Sequence, residues 1–319
     1  MIFLPTNSND GTSDVLVPLF NAVGVSVFRW NVDLWDKYEI TVSPGHFKFE
    51  DPRGRTCDIH SHDVFLLWRK PFTDLILPTD GLGLEDIKFV KSELREFMRT
   101  ISAVFASNGR TILVEPYADL RLPKLLQVER AQQYFNVPQF EFSFKNSTLK
   151  PPTVVKPLGT SLVGEKIFFT RKIDQAKLLR PHPWYLQSAI VGGADVTCVI
   201  IGEKLHLFFS QYTRSEDGID WRTEINTPLQ SKWERASSIP DELNSSISKL
   251  MKEFGLLYGR IDFIFKDGIY WFLECNPNGQ FGWLDDQDFT LHREFASLAL
   301  GECGLQKSAK EVLSCKFSL

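Results

Sequence analysis

The sequence lacks the features of a membrane protein and of a nucleic-acid-binding protein. It has no apolar run that approaches the roughly 20 residues needed to span a bilayer. Its first residues show no basic segment followed by an apolar stretch, so we expect no signal peptide. It has no run of Lys or Arg and a net charge of −4, which argues against nucleic acid as the main partner. We therefore expect a protein that acts without a membrane and without nucleic acid.

Cysteine is also scarce. The five cysteines are Cys57, Cys198, Cys275, Cys303 and Cys315. Because they are odd in number and widely spaced, they fit neither a disulfide framework nor a zinc motif, and reduced thiols in a cytoplasmic protein are the simplest interpretation. The chain also lacks the G-x-S-x-G pattern of a serine nucleophile, and we interpret Cys275 as a small core residue.

Length and composition indicate a globular chain of more than one domain. Hydrophobic residues make up 43% and charged residues 24% of the 319 residues, which is typical of globular proteins. This length suits about two or three domains. Residues 1–115 alternate strand and helix patterns, which predicts an N-terminal α/β domain with a small, mostly parallel sheet. We expect further segments at 116–190 and 191–305, and a short tail at 306–319.

Arg69 ends an apolar strand of this predicted first domain. The carboxyl ends of strands in open α/β sheets commonly bind ligands. An ordinary surface ion pair is the other interpretation, and the sequence leaves both open.

A β-hairpin is predicted within residues 258–283, where two apolar and β-branched runs flank a turn at 266–268. A three-residue loop would place Asp262 opposite Phe272 and diagonal to Glu274, so that the two acids share one face of the ribbon. A two-residue loop would put the acids on opposite faces. We expect the three-residue loop.

In that register, Asp262, Glu274 and Asn276 form a cluster of oxygen donors within an otherwise apolar hairpin. Two close carboxylates repel each other unless a cation lies between them. Oxygen ligands suit Mg²⁺ or Mn²⁺ rather than zinc. A surface hairpin whose acids merely face water is the alternative, but strand interiors are poor in Asp and Glu, so we favour the metal site.

Lys156 and the segment that follows it could bind phosphate. Lys156 ends a predicted strand and precedes the glycine-containing loop 159–164. Backbone N–H groups and an ammonium both attract phosphate oxygens. The loop is not a P-loop, because Glu165 stands where that motif requires lysine. A plain hairpin with an exposed Lys156 is the alternative on these residues alone.

The order of these features resembles a known family. It includes a lysine at a helix start, a strand lysine followed by proline, a glycine-rich loop, a further strand, and then the acidic hairpin. The residues that carry the resemblance are Lys124, Lys156-Pro157, Gln187-Ser188-Ala189-Ile190, Asp195, Arg222, Asp262 and Glu274-Cys275-Asn276-Pro277-Asn278-Gly279. Over roughly 124–283 the chain resembles the ATP-grasp superfamily of carboxylate–amine ligases. Its ending is most similar to the peptide-modifying branch with the microviridin-type (graspetide) macrocycle ligases.

The resemblance implies a role for each matched residue. Lys124 and Lys156 would contact the ATP phosphates, Gln187, Ser188 and Ile190 would surround the adenine, and Asp195 is the nearest candidate partner of the ribose. Two Mg²⁺ ions, with Mn²⁺ as a substitute, would be held by Asp262, Glu274 and Asn276. The transferred phosphate or the substrate carboxylate would be faced by Arg222, with Arg260. The segments 159–164 and 215–226 would close over the site and exclude water.

The resemblance also implies a fold and an activity. The fold would be α/β (α+β), with an N-terminal pre-ATP-grasp domain and two α+β subdomains that clasp ATP. The enzyme would activate a carboxylate as an acyl phosphate for attack by an amine or hydroxyl. The expected partner is a ribosomally made precursor peptide, crosslinked through side-chain amides or esters, or another carboxylate-bearing substrate, and a homodimer is the oligomeric state that we consider. An intermolecular amino-acid ligase and a non-catalytic ATP-binding module stay open as alternatives.

Overall fold

The computed structural model describes residues 1–69, 81–143, 148–150, 152–158, 162–163, 166–167, 171–173, 184–213 and 233–318. The chain divides into two compact units. The first comprises Met1–Ala118 with Gln280–Leu319, and the second comprises Asp119–Gly279. The boundaries that the sequence suggested at 115/116, 190/191 and 305/306 stay predictions.

The helices and strands of the described residues are numbered in chain order. The helices are α1 (Gly11–Ala22), α2 (Leu84–Ser107), α3 (Ala118–Arg121), α4 (Lys124–Ala131), α5 (Asp241–Phe254), α6 (Thr290–Glu302) and α7 (Gln306–Glu311), with 3₁₀ turns at Val32–Lys37 and Gly282–Leu284. The strands are β1 (Ile2–Thr6), β2 (Val27–Asn31), β3 (Glu39–Ser43), β4 (His46–Glu50), β5 (Thr56–Asp58), β6 (Phe65–Leu67), β7 (Thr111–Ile112), β8 (Phe140–Ser143), β9 (Thr153–Lys156), β10 (Leu162–Val163), β11 (Lys166–Ile167), β12 (Arg171–Ile173), β13 (Trp184–Ser188), β14 (Ala194–Ile201), β15 (Lys204–Thr213), β16 (Trp233–Arg235), β17 (Tyr258–Lys266) and β18 (Ile269–Asn276). None of the helices in the described part of the chain has both the length and the apolar character needed to cross a bilayer.

The first unit is built on a parallel sheet in the order β2-β1-β6-β7. This confirms the small parallel sheet expected for the N-terminal segment. All five residues of β1 are buried, as expected for a strand with both faces covered. Phe3 of β1 lies at the centre of an aromatic core, where its ring packs against Phe28, Phe49 and Phe105. A small antiparallel sheet, β3-β4-β5, contributes the Phe47 and Phe49 rings to this core.

Arg69 is buried in the first unit, so it is not part of a surface ion pair. Its side chain is 0% exposed and its Nε lies 4.0 Å from Asp10 Oδ2. One Nη2–H donates to Gln280 Oε1 at 3.4 Å, and the guanidinium lies over the Phe295 ring. Lys70, which follows it, lies outside the described residues.

The second unit contains two antiparallel sheets that carry most of the candidate residues. One has four strands in the order β12-β9-β13-β8, and the other has five in the order β16-β15-β14-β17-β18. Helix α4 begins at Lys124, as the resemblance implied, and ends at Ala131. Helix α5 begins after Pro240 and ends at Phe254, with Gly255 as its C-cap, and β17 begins at Tyr258.

The register of the β17–β18 hairpin differs from the expected one. Its loop has two residues, Asp267 and Gly268, because Lys266 pairs with Ile269. Both loop residues have positive φ, which is typical of the type I′ turns that close two-residue hairpins. The expectation that Asp262 lies opposite Phe272 is therefore wrong.

A β-bulge nevertheless brings the two acids to one face. Phe263 pairs with Phe272, but Asp262 pairs with Glu274, so Leu273 is an extra residue on β18. A bulge of this kind shifts the side-chain alternation of one strand by one position. Asp262 and Glu274 consequently face each other directly across the hairpin despite the two-residue loop.

Candidate functional site

The two acids and Asn276 form a compact cluster at the end of the hairpin. The Asn276 Nδ2 group donates to Asp262 Oδ2 at 3.1 Å and lies 3.4 Å from Glu274 Oε1. Thr197 of the neighbouring strand β14 pairs with Asp262, and its hydroxyl donates to Asp262 Oδ1 at 2.7 Å. The three oxygen-bearing side chains predicted from the sequence therefore point toward one another.

Basic side chains neutralise both carboxylates of this cluster. Arg260 donates to Asp262 through Nε and Nη2, each at 3.1 Å. Lys124, at the first position of α4, has its Nζ 3.1 Å from Glu274 Oε2 and 3.2 Å from the Pro157 carbonyl oxygen. Positive and negative side chains thus alternate in a small region, as in sites that bind both a metal cation and phosphate.

The charge on Glu274 is stabilised strongly. Burial alone would raise the pKa of Glu274, but the ammonium groups of Lys124 and Lys156 and the guanidinium of Arg260 outweigh it and lower that pKa to about 2. Opposite charges within a few ångströms favour the ionised form of a carboxyl group. Glu274 is therefore an anion at neutral pH.

The donor set of the cluster fits magnesium. Asp262 Oδ2 and Glu274 Oε1 both lie within 3.4 Å of a single atom, the Asn276 Nδ2, so one small cation could be approached by both carboxylates. Two carboxylates and an amide oxygen are hard ligands that suit Mg²⁺ or Mn²⁺. Among the described residues, no group of three His, Cys, Asp or Glu side chains comes together. The Asn276 amide faces the two carboxylates with its Nδ2 group, so its role as a third metal ligand stays a prediction.

Lys156 lies in the four-stranded sheet, with Gln187 and Tyr185 beside it. Lys156 pairs directly with Tyr185 across β9 and β13, and its Nζ donates to Gln187 Oε1 at 2.7 Å. The Gln187 side chain is 1% exposed, and its Nε2 lies 3.4 Å from the Tyr185 hydroxyl. Burial, with a smaller contribution from the Glu274 charge, raises the pKa of Tyr185. The ammonium group of Lys156, like that of Lys124, lowers the pKa of Glu274.

The remaining candidates for nucleotide contact lie near the end of β13 and in β14. Ser188 is the last residue of β13, and its N–H donates to the Gln139 carbonyl at 2.7 Å. Ile190 follows as a half-buried residue outside the strand. Asp195 is 5% exposed and lies two residues before Thr197 on β14, which puts both on the same face. Their contacts with a nucleotide stay predictions.

Some of the expected site falls outside the described residues. Arg222, the loop 215–226 that contains it, and the glycines Gly159 and Gly164 all belong to that part of the chain. The predicted roles of Arg222 and of the two closing segments therefore stay predictions.

The sequence interpretation missed three residues beside the candidate ones. Thr197 donates to Asp262, Gln127 accepts from the Cys275 backbone N–H, and Tyr185 pairs with Lys156. A weak signal existed for each, since Thr197 and Asp195 alternate on β14, Gln127 follows Lys124 by three residues on a helix, and Tyr185 precedes Gln187 by two on a strand. Cys275, in contrast, is 2% exposed, as expected of a core residue, and burial raises the pKa of its thiol.

No protein-family model and no curated protein sequence matches the chain. Solved structures do. The macrocyclase MdnC from Microcystis aeruginosa MRC, bound with precursor peptide MdnA, is 22% identical with a TM-score of 0.77, over 94% of this chain and 99% of MdnC. A RiPP-associated ATP-grasp ligase from Chryseobacterium gregarium, in complex with ADP and a leader and core peptide, is 20% identical with a TM-score of 0.76. The match covers 94% of this chain and 96% of that ligase.

The ATP-grasp ligase PsnB, complexed with minimal precursor, Mg and ADP, is 15% identical with a TM-score of 0.64, over 97% of this chain and 98% of PsnB. These similarities extend over nearly the whole length of each chain. The protein therefore has the ATP-grasp fold, which confirms the fold that the resemblance implied.

Proposed function

We propose that the protein is an ATP-dependent ligase that activates a carboxylate as an acyl phosphate for attack by an amine or a hydroxyl. The observation that carries this proposal is the contact between Lys124 and Glu274, 3.1 Å apart at the end of the β17–β18 hairpin. It brings a candidate phosphate-binding ammonium to a candidate metal-binding carboxylate. A metal–triphosphate complex requires anions for the cation and cations for the phosphates, and both kinds of group are present here.

The chemistry assigns a task to each of these side chains. A free carboxylate is a poor electrophile, and its phosphorylation supplies a good leaving group. Lys124 and Lys156 would hold the phosphates in position, while Arg260 would face the transferred phosphoryl group or the substrate carboxylate. Magnesium, held by Asp262, Glu274 and the Asn276 amide, would supply neutralisation of the charge on the phosphate oxygens.

The substrate in this proposal is a ribosomally made precursor peptide. Support comes from the similarity, over almost the full chain, to MdnC with its bound precursor peptide and to the Chryseobacterium ligase with its leader and core peptide. The reaction would join Asp or Glu side chains of the peptide to Lys, Ser or Thr side chains within it. The homodimer and the cytoplasmic location considered from the sequence belong to the same proposal, and light scattering of the purified protein would test the former.

The test is an incubation of the protein with Mg·ATP and short acidic peptides encoded by reading frames beside its gene. We expect ADP release that depends on the peptide, together with a mass decrease of one water for each bond formed. A mass gain on the peptide would instead indicate intermolecular ligation. Absence of ADP with every peptide would contradict the proposed ligase activity and favour a non-catalytic nucleotide-binding module.

A further inference from the structure

Strand β18 is the outer strand of the five-stranded sheet, so alternate backbone N–H groups point away from β17 and need acceptors elsewhere. The Phe272 N–H donates to the Asn136 carbonyl at 2.9 Å. The next outward N–H with a partner is that of Cys275, which donates to Gln127 Oε1 at 2.8 Å. The two are three residues apart because the bulge at Leu273 shifts the alternation of the strand.

The Gln127 side chain makes a second hydrogen bond at its other end. Its Nε2 group donates to the Leu122 carbonyl at 2.7 Å, while its backbone N–H donates to the Pro123 carbonyl in the first turn of α4. Gln127 is 4% exposed. One buried amide therefore connects the start of α4 to β18, and both its donor and its acceptor are used.

The two elements that Gln127 connects carry opposite halves of the candidate site. Lys124 stands three residues before Gln127 at the start of α4, and its Nζ contacts Glu274. Glu274 and Asn276 are the immediate neighbours of Cys275 on β18. The long Lys124 side chain has several rotatable bonds and cannot by itself fix this distance, whereas a buried, fully hydrogen-bonded amide can.

We propose that Gln127 is a positioning residue, which holds the Lys124 ammonium in register with Glu274 and Asn276 and thereby sets the affinity for the metal–nucleotide complex. This inference rests on the proposed function, because it assumes that these groups bind Mg·nucleotide. Gln127 itself would contact neither the nucleotide nor the metal. It would act by fixing the backbone at the start of α4, near Lys124, relative to the backbone of β18 at Cys275.

Helix α4 has a separate attachment that does not involve β18, and this provides a matched control. Arg130 of α4 donates to Glu253 of α5 at 2.6 Å. Arg130→Met removes the salt bridge with Glu253 and leaves the Gln127 amide in place. Gln127→Met keeps the length of the side chain but removes both hydrogen bonds of the amide.

The experiment measures the dissociation constant of ADP at fixed Mg²⁺, together with Mn²⁺ binding by electron paramagnetic resonance, in the full-length protein. We expect Gln127→Met to weaken the binding of both by about 10-fold to 100-fold, as for other residues that orient metal ligands. Arg130→Met should leave both constants unchanged. Thermal unfolding of each variant checks that the chain is folded.

A double-mutant cycle separates positioning from a general loss of stability. If Gln127 acts through the Lys124–Glu274 geometry, Gln127→Met should weaken ADP binding by about threefold or less once Lys124→Met is present, since the two residues then share one effect. Arg130→Met should instead be additive with Lys124→Met. Full additivity of Gln127→Met with Lys124→Met would overturn the inference, as would unchanged binding in a folded Gln127→Met variant.

A measurement on the unaltered protein keeps the inference testable even if the variant does not fold. The Cys275 amide should exchange its hydrogen slowly, and more slowly still with Mg·ADP bound, because Gln127 accepts its N–H. Exchange as fast as that of an exposed amide would overturn the inference. If the unaltered protein binds no Mg·ADP at all, the proposed function itself fails and this inference fails with it.

Discussion

Four charged side chains meet at the end of the hairpin, namely Lys124, Arg260, Asp262 and Glu274, and the charge of a fifth, Lys156, also acts on Glu274. Three are positive and two are negative, so the cluster favours an anionic ligand while it retains two carboxylates for a cation. Each carboxylate has a basic neighbour at 3.1 Å. At the scale of single residues, this mixture of charges is what the proposed binding of a metal–nucleotide complex requires.

The charge of Glu274 is expected to be indispensable. Glu274→Gln keeps the shape of the side chain but removes the anion that Lys124 and a metal would share, so we expect turnover to be lost while the fold is retained. Peptide-dependent ADP release measures turnover, and circular dichroism with thermal unfolding checks the fold. Asp262→Asn should behave in the same way.

Glu253→Gln is the matched control, because Glu253 pairs with Arg130 on the surface of the same unit. This variant should keep its turnover. Wild-type turnover in a folded Glu274→Gln variant would show that the metal-site assignment is wrong.

Thr197 is expected to orient Asp262. Its hydroxyl donates to Asp262 Oδ1 at 2.7 Å, and the residue is 2% exposed. Thr197→Val keeps the side-chain shape and removes this donor, so we expect the Mg²⁺ concentration for half-maximal activity to rise by about 10-fold. Thr197→Ser restores the hydroxyl and should restore the wild-type value. Equal Mg²⁺ dependence in the Val and Ser variants would contradict this role.

At the scale of elements, the β17–β18 hairpin combines a two-residue turn, a bulge and a tight exit. The turn alone would separate the two acids, and the bulge at Leu273 reverses this. The chain then leaves β18 through Gly279, whose carbonyl oxygen accepts a hydrogen bond from the Tyr258 hydroxyl. The position of the metal-ligand candidates thus depends on three irregularities of one ribbon.

The exit of β18 is expected to require glycine at position 279. A Cβ there would lie 2.8 Å from the Arg260 Cβ and 3.2 Å from the Asn276 Cβ. Gly279→Ala should therefore displace two candidate site residues and destabilise the protein by about 1–3 kcal/mol, measured by urea unfolding, with weaker nucleotide binding.

Gly301→Ala serves as the comparison for this prediction. Gly301 lies in α6, and an added Cβ would meet nothing within 4 Å. Its replacement should be neutral or stabilise by up to about 1 kcal/mol. Equal effects of the two substitutions would argue against the steric explanation.

At the scale of the whole molecule, the chain leaves the first compact unit after Ala118 and returns to it at Gln280. Gln280 is held there by a polar cluster. It accepts from Thr12 Oγ1 at 2.6 Å and from Arg69, and its Nε2 donates to Asp10 Oδ1 at 3.1 Å. The returning segment is thereby fixed in the first unit directly after the last residue of the second.

Asp10 is expected to give this cluster a pH-dependent stability. Burial would raise the pKa of Asp10, but the Arg69 charge and hydrogen bonds from Ser13, Thr6 and Gln280 lower it below its usual 3.8. A carboxyl group whose pKa is lower in the folded state stabilises the fold above its unfolded pKa, and this stabilisation is lost as the pH falls through the folded pKa.

Asp10→Asn should therefore be less stable than the wild type near neutral pH, by about 1–3 kcal/mol for a buried hydrogen-bonded charge. The difference should shrink as the pH falls below 3.8. Urea unfolding at a series of pH values measures it. A difference that is constant with pH would exclude Asp10 as the titrating group.

The sequence by itself determined the local features. Strand alternation and the rarity of acids in strands marked Asp262, Glu274 and Asn276. A strand lysine beside a glycine-containing loop marked Lys156, and the family resemblance marked Lys124. These signals are local because they depend on residues a few positions apart, and the fold inferred from their order is the one observed.

Only the tertiary structure decided how these residues meet. The bulge at Leu273 could not be foreseen, because turn chemistry alone does not fix the register of an edge strand that packs against a helix. Thr197 lies 65 residues from Asp262, and Gln127 lies 148 residues from Cys275. Their hydrogen bonds exist because sheet pairing and helix packing bring distant segments together. Local spacing placed Thr197 near Asp195 and Gln127 near Lys124 in the sequence, but it could not identify the distant residues that they contact.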